Sequence, residues 1–306
     1  MKDRDSGLAD KVSTLRKRRN AVILAHNYQV GDVQDIADFV GDSLELSQKA
    51  AETGADVIVF CGVHFMAETA SILCPDKVIL LPDANAGCPM ANMITAEGLR
   101  EKKREHPRAA VVCYVNSSAA VKAESDICCT SANAVAVVES LDAPEILFVP
   151  DQYLGHYVAG QTGKEMILWP GFCPTHANIM PDRIKELKRE HPRAKVVVHP
   201  ECRPGVIALA DEVASTGGMC RYARRDDVAE MIVGTEKGII HRLEKENPGK
   251  KFIPVSEQTV CPNMKLITLE KVLWSLEEMK PEVRVPEDIR LRAKAAVDKM
   301  LEVGRT

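Results

Sequence analysis

The sequence predicts an α/β protein in which three small units, each with a parallel sheet, surround one central active site about a pseudo-threefold axis. A Cys-Pro step recurs at Cys88, Cys173 and Cys261, at intervals of 85 and 88 residues (173 minus 88, and 261 minus 173). Continuous apolar segments alternate with helical ones, which is typical of parallel sheets covered on both faces. Several independent columns of residues keep the same register, so the sequence indicates a triplication.

Three columns of polar residues repeat at intervals of 88 and 85 residues. Their members are His26, Tyr114 and His199; Tyr28, Asn116 and Glu201; and Ser43, Ser131 and Thr216. The first two columns follow β-branched segments that we interpret as strands. Because ligands of parallel α/β sheets bind beyond the carboxyl ends of the strands, these columns predict one shared cleft.

The elements follow one order in each unit. A first strand with polar residues at its end is followed by a short helix, a segment ending in a hydroxyl, a helix, a second strand and another helix. A third strand then leads to Cys-Pro, and a helix begins seven residues after each cysteine, at Thr95, Met180 and Thr268. The predicted domains are an N-terminal helix (1–19), units 1 to 3 (20–108, 109–193 and 194–264) and C-terminal helices (265–306).

Composition excludes several classes of function. The 306 residues carry a formal net charge of -4 and only 4% aromatic residues, whereas nucleic-acid binders present basic stripes and stacking aromatics. No segment approaches the ~18 apolar residues of a membrane span. The charged start lacks the apolar core of a signal peptide, so we expect a cytoplasmic protein. In that reducing compartment, ten cysteines point to metal binding or catalysis rather than disulfides.

The repeated cysteines predict a metal site with an open coordination position. Cys88, Cys173 and Cys261 supply three thiolates, and proline after each one stiffens the turn. Thiolates favour iron–sulfur clusters or zinc, and zinc could add His176 as a fourth ligand. The spacing leaves both metals open, because the fold gathers these ligands.

The polar columns predict proton transfer and anion binding. Histidine, tyrosine and glutamate are standard proton-transfer groups, and three matched pairs favour function over a structural role. Ser43, Ser131 and Thr216 precede helical segments, where hydroxyls cap helices and also help to bind anions. We expect them to do both.

The motifs resemble those of the quinolinate synthase family, over about residues 20–276. The matching segments are 25–29 (AHNYQ), 37–43 (ADFVGDS), 88–92 (CPMAN), 114–117 (YVNS), 129–133 (CTSAN), 199–202 (HPEC), 215–217 (STG) and 261–265 (CPNMK). The resemblance implies an enzyme of NAD biosynthesis that condenses iminoaspartate with dihydroxyacetone phosphate to quinolinate, phosphate and water. It also implies a 4Fe–4S cluster held by three cysteines, with the open iron as a Lewis acid.

The resemblance also implies a role for each site residue. Glu201 is the expected general base, and Tyr28 and His199 assist proton transfers. The expected substrate-binding residues are His26, Ser43, Tyr114, Asn116, Ser131, His176, Ser215 and Thr216. Met264 and Lys265 are expected to close the pocket. An aspartate-oxidising enzyme is an expected partner, since it would hand over the unstable iminoaspartate.

Two other functions remain open at this point. A zinc-dependent hydrolase or dehydratase would be colourless and indifferent to air. A non-enzymatic iron–sulfur sensor would hold a cluster without turnover, and it would leave the paired histidine, tyrosine and glutamate columns unexplained.

Overall fold

Three four-stranded parallel sheets dominate the computed structural model, which describes residues 2–303. A helix, α1 (Lys2–Arg18), precedes the first unit. The elements of unit 1 are β1 (Ala21–His26), α2 (Gly31–Ile36), β2 (Phe39–Gly41), α3 (Ser43–Glu52), β3 (Val57–Cys61), α4 (His64–Leu73), β4 (Val78–Leu80) and α5 (Ala96–Glu105). The strands lie in the order β2-β1-β3-β4.

Unit 2 repeats this order of strands. Its elements are β5 (Ala109–Tyr114), α6 (Ala119–Lys122), β6 (Ile127–Cys129), α7 (Ala134–Glu139), β7 (Glu145–Val149), α8 (Gln152–Thr162), β8 (Met166–Leu168), α9 (Pro174–Ala177) and α10 (Pro181–Glu190). The sheet order is β6-β5-β7-β8. The third strands of these two units, β3 and β7, are central and apolar, because they are buried on both faces.

Unit 3 has the same topology, and two long helices follow it. Its elements are β9 (Lys195–Val198), α11 (Pro204–Ile207), β10 (Glu212–Val213), α12 (Thr216–Ala223), β11 (Glu230–Gly234), α13 (Ile239–Glu246) and β12 (Lys251–Pro254). The sheet order is β10-β9-β11-β12. The chain ends in α14 (Leu269–Glu278) and α15 (Glu287–Val303). This architecture confirms the predicted fold class of three small α/β units.

An aspartate clamp recurs in all three units and follows the predicted register. Asp38, Asp126 and Asp211 are spaced by 88 and 85 residues, like the polar columns. Each carboxylate accepts a hydrogen bond from a backbone N–H of the first strand, at 2.9, 2.8 and 2.7 Å. Each aspartate N–H donates back to the carbonyl of that same strand residue. The clamp therefore fixes where the short second strand begins.

The predicted helix starts are confirmed. Thr95, Met180 and Thr268 are the N-cap residues of α5, α10 and α14. The hydroxyls of Thr95 and Thr268 accept from backbone N–H groups three residues on. Met180 has no such side chain. Proline at the first position of α10 favours the helix start there instead.

The prediction of three strands per unit was incomplete. The structure adds a fourth strand in each unit, namely β2, β6 and β10, which has two or three residues. Strands this short show no period in the sequence, and they lie at a sheet edge. Each sheet lies inside its predicted unit, and the domain boundaries themselves stay predictions.

The C-terminal helices pack against the triplicated body, as predicted. α14 packs on α1 and β3, whereas α15 packs on α4 of unit 1 and on α6 and β6 of unit 2. Asn133 of unit 2 donates from its amide to the carbonyl of Met300 at 3.1 Å. α15 therefore seals the seam between the first two units. Across residues 2–303, none of the helices combines the length and apolarity that crossing a bilayer requires.

The clamp gives a test of the fold. We expect Asp126→Ala to lower the free energy of unfolding by about 1 kcal/mol, because the N–H of the buried Val111 loses its acceptor. Asp126→Asn keeps an acceptor oxygen and should lose less than half of that. Urea unfolding followed by circular dichroism measures both variants. Equal losses in the two variants would contradict the clamp.

Candidate active site

One cavity lies where the carboxyl ends of the three sheets meet, and all three units line it. Its predicted members are Cys88, His26, Tyr28 and Ser43 of unit 1; Tyr114, Asn116, Ser131, Cys173 and His176 of unit 2; and His199, Glu201, Thr216 and Cys261 of unit 3. The structure therefore brings together thirteen of the fourteen predicted site residues. The exception is Ser215, which does not line this cavity.

The three repeated cysteines face this cavity from equivalent loops. Cys88, Cys173 and Cys261 are half-buried, whereas the other seven cysteines are buried, and all ten are free. Burial, followed by the nearby charges of Glu201 and Cys261, raises the pKa of Cys88 to about 12. Burial and the charge of Glu201 also raise the pKa of Cys173 well above its usual value. Neutral thiols in one cavity fit a thiophilic metal group that displaces their protons on binding.

The carboxylate of Glu201 is the centre of the polar network. Its Oε1 accepts a hydrogen bond from the hydroxyl of Tyr114 at 2.5 Å and a longer one from Asn116 at 3.4 Å. Its Oε2 lies 2.7 Å from Nδ1 of His176. Burial alone would raise the pKa of Glu201, but the neighbouring imidazoles of His176 and His199 and these hydrogen bonds lower it to about 2. Glu201 is therefore ionised at neutral pH.

His176 joins the cysteine side of the cavity to Glu201. Its Nδ1 lies 3.1 Å from the sulfur of Cys173, three residues before it on the same short helix start. Candidate ligand atoms of Cys173, His176 and Glu201 all lie within 4.8 Å of one another. The ring of His176 also stacks on His199, with 4.7 Å between centroids. This group could bind a metal ion through mixed sulfur, nitrogen and oxygen ligands.

Two histidines at the ends of first strands have the same local geometry. Nδ1 of His26 accepts the N–H of Tyr28 at 3.2 Å, and Nδ1 of His199 accepts the N–H of Glu201 at 3.4 Å. Burial lowers the pKa of each to about 3, and for His26 the charge of His199 adds to this. Both rings are therefore neutral, and each carries its proton on Nε2. Nε2 of His199 donates to Ser131 at 3.2 Å.

The predicted capping role of the hydroxyl column is wrong. Asp42 and Ser215 are the N-caps of α3 and α12, so Ser43 and Thr216 are the first helical residues. Ser131 lies two residues before Asn133, the N-cap of α7. The hydroxyl of Ser215 instead donates to Asp42 at 2.9 Å. Because neighbouring residues cap these helices, Ser43, Ser131 and Thr216 are left to face the cavity.

Lys265 does not close the pocket as predicted, although Met264 lines it. Its ammonium pairs with the fully buried carboxylate of Glu236, at 2.9 Å, and donates to the carbonyl of Tyr28. Glu236 also accepts the N–H of Cys261 at 3.3 Å. The pair therefore ties the loop that carries Cys261 to unit 1.

The described residues that line the cavity include no lysine or arginine. An anionic ligand must therefore be held by neutral donors. The structure offers Nε2 of His26 and the hydroxyls of Tyr28, Ser43, Ser131 and Thr216. Ser43 and Thr216 also lie at the starts of α3 and α12, where the helix dipole favours anions, while Asp42 and Ser215 accept N–H groups of those first turns.

Sequence reasoning missed Thr235 and Glu236, which follow β11 of unit 3. The same register holds there, because residues 62, 150 and 235 are spaced by 88 and 85. The next column contains Val63, Asp151 and Glu236, of which Asp151 and Glu236 are fully buried. Extending the columns to the residues that follow β3, β7 and β11 would have found them.

Comparisons with known proteins match this chain over nearly its whole length. The family model described as quinolinate synthetase A protein matches residues 10–302. A quinolinate synthase of Dehalococcoides mccartyi (strain CBDB1) is 64% identical over 97% of this chain and 98% of its own length. Quinolinate synthases of Methanosarcina barkeri (strain Fusaro / DSM 804) and Geobacter metallireducens (strain ATCC 53774 / DSM 7210 / GS-15) are each 57% identical, over 97% of this chain. They are covered over 97% and 98% of their own lengths.

The neutral histidines predict how stability depends on pH. In the unfolded chain His26 and His199 bind protons below about pH 6.5, but in the folded protein only near pH 3. Stability is therefore full above pH 6.5 and is lost as the pH falls. We expect the metal-free protein to lose about 2 kcal/mol for each of these histidines between pH 7 and pH 5.

Urea unfolding at the two pH values measures this loss. His199→Gln should remove about half of the pH-dependent part, whereas His64→Gln, at an exposed position, should leave it unchanged. An unchanged loss in His199→Gln would mean that His199 is not held neutral.

Proposed function

Because this chain belongs to the quinolinate synthetase A family and is an enzyme, we propose that it makes quinolinate from iminoaspartate and dihydroxyacetone phosphate. Phosphate and water are the other products. The observation that carries the proposal is a single cavity in which three loop cysteines face Glu201, Tyr28 and three histidines. Joining two small anionic molecules and removing water from them needs proton-transfer groups and sites for carboxylates, and this cavity has both.

Neutral donors would hold the substrates. The carboxylates of iminoaspartate and the phosphate of the triose carry negative charge, and the lining has no lysine or arginine among its described residues. Ser43 and Thr216 at the starts of α3 and α12, together with Ser131, suit these oxygens. His26 adds a neutral N–H donor. Ser215 would act indirectly, because its hydroxyl donates to Asp42, which lines the cavity.

Glu201 would act as the general base once the substrates are bound. Without them its pKa of about 2 makes it an ionised but weak base. Substrate carboxylates in the same cavity would raise that pKa, since like charges favour the protonated form. Tyr114 and Asn116 fix the carboxylate, and His176 can pass a proton on. Tyr28 and His199 would assist the proton transfers.

Cys88, Cys173 and Cys261 would hold the cofactor, which we propose is a 4Fe–4S cluster with one iron left without a cysteine. The chemistry that it supplies when bound is Lewis-acid polarisation of a substrate oxygen. Support comes from the family and from three thiols that the fold delivers to one cavity from three units. Each is followed by proline, which keeps the turn stiff.

A zinc-dependent hydrolase or dehydratase is the second candidate. It is favoured by one observation, the proximity of Cys173, His176 and Glu201. That arrangement needs His176 as a ligand, whereas His176 already donates to Glu201 at 2.7 Å. A zinc site made of Cys88, Cys173, Cys261 and His176 would likewise take His176 from Glu201, so we rank this candidate second.

The setting of the reaction follows from the chemistry of the proposal. Ten free cysteines suit a reducing compartment, and we propose the cytoplasm. An aspartate-oxidising enzyme would supply the unstable iminoaspartate, and direct handover by such a partner stays a prediction.

Anaerobic purification, with iron and sulfide analysis, tests the cofactor. We expect a brown protein with about four irons per chain, whose visible absorbance bleaches in air. Cys88→Ala should lose most of the iron and all quinolinate formation, whereas Cys220→Ala, at a buried cysteine outside the cavity, should keep both. A colourless protein that contains zinc after anaerobic reconstitution would favour the hydrolase instead.

Glu201→Gln tests the base. The amide keeps the hydrogen bond from Tyr114 but cannot take a proton, so kcat should fall by about 10²–10⁴-fold while iron content stays the same. Quinolinate formation from iminoaspartate and dihydroxyacetone phosphate, followed by liquid chromatography, measures it. A variant with the wild-type rate would remove Glu201 from the mechanism.

A further inference from the structure

Thr235 lies directly behind the cavity wall, and neither the polar columns nor the proposed mechanism uses it. It follows β11 of unit 3, and its side chain is fully buried. It does not line the cavity. Any effect on the reaction must therefore pass through the groups that its hydroxyl contacts.

The hydroxyl of Thr235 bridges two of the proposed site residues. It lies 2.5 Å from the phenol oxygen of Tyr28 and 2.8 Å from Nε2 of His176. The phenol and Nε2 are themselves 3.4 Å apart, at the limit of a direct hydrogen bond. Tyr28 belongs to unit 1, His176 to unit 2 and Thr235 to unit 3, so one hydroxyl joins all three.

Nδ1 of His176 continues the bridge to Glu201. It lies 2.7 Å from the ionised carboxylate of Glu201, which only accepts, so Nδ1 carries a hydrogen. The hydroxyl of Thr235 hydrogen-bonds to Nε2 of the same ring and to the phenol of Tyr28. A continuous chain results, from Tyr28 through Thr235 and His176 to Glu201.

We propose that Thr235 is a positioning residue of the quinolinate-forming reaction, whose hydroxyl orients the phenol of Tyr28 and the imidazole of His176 relative to Glu201. The inference rests on the proposed function. A side chain of the same shape without the hydroxyl would leave both buried groups short of a partner. Each would then rotate to seek another partner, and small displacements of catalytic groups have large effects on rate.

Thr235→Val removes the hydroxyl and keeps the branched shape. We expect kcat for quinolinate formation to fall by about 10-fold to 100-fold, with a change in KM of less than about threefold. Thr235→Ser restores the hydroxyl and should keep at least about a third of the wild-type kcat. Iron and sulfide content should match the wild type in both variants, because the hydroxyl of Thr235 bonds to Tyr28 and His176, which are not among the proposed cluster ligands.

A double-mutant cycle with Tyr28→Phe separates positioning from a purely structural role. Because Thr235 acts partly through Tyr28, the loss in the double variant should be at least about tenfold smaller than the product of the two single losses. If Thr235 had only a structural role, its substitution would lower the amount of folded enzyme. That loss of activity would multiply with the loss in Tyr28→Phe. Should Thr235→Val fail to fold, Thr235→Ala compared with Thr235→Ser makes the same test.

The outcomes separate the inference from the function it rests on. A wild-type kcat in Thr235→Val, equal losses in the valine and serine variants, or multiplying losses in the cycle would each overturn the inference alone. A wild-type enzyme that holds its cluster but makes no quinolinate would overturn the proposed function, and the inference with it.

Discussion

A carboxylate buried away from water must find hydrogen-bond donors, and Glu201 of unit 3 finds them on unit 2. Burying an uncompensated charge costs several kcal/mol. The carboxylate of Glu201 therefore requires the hydrogen bonds that Tyr114, Asn116 and His176 donate to it. His176 in turn reaches Tyr28 of unit 1 through Thr235. One buried charge therefore sets how three separately folded sheets must be oriented toward each other. Among the described residues that line the cavity, this network closes without a lysine or arginine.

Much of this arrangement could be predicted from the sequence, because residues at equivalent positions of a sequence repeat lie at equivalent places in the fold. Once one polar column defines intervals of 88 and 85 residues, any other polar residue in the same register falls at an equivalent position of its unit. That reasoning found the cysteines, the two strand-end columns and the hydroxyl column. It also placed Thr95, Met180 and Thr268 at helix starts, since a fixed spacing from the cysteine survives triplication.

The parts that could not be predicted are those in which the units differ or touch. Strands of two or three residues such as β10 have no period, and the aspartate clamp that sets their start looks like an ordinary loop residue. Ser43 and Thr216 were mistaken for caps, because Asp42 and Ser215 beside them have the same propensity. The bond between Lys265 and Glu236 joins residues 29 positions apart by tertiary packing alone. No local pattern encodes such a bond, so the sequence could not show that Lys265 pairs with Glu236 instead of closing the pocket.

The packing of α15 has a consequence for synthesis on the ribosome. This helix is translated after all three units, yet it covers the seam between the first two units. The last strand of unit 2 ends at Leu168 and α15 begins at Glu287, 119 residues later (287 minus 168). At about 5 to 20 residues per second, that interval lasts about 6 to 24 s. For that time the parts of units 1 and 2 that α15 later covers have no helix packed on them. Units 1 and 2 therefore complete their shared packing only after the whole of unit 3 has left the ribosome's catalytic centre.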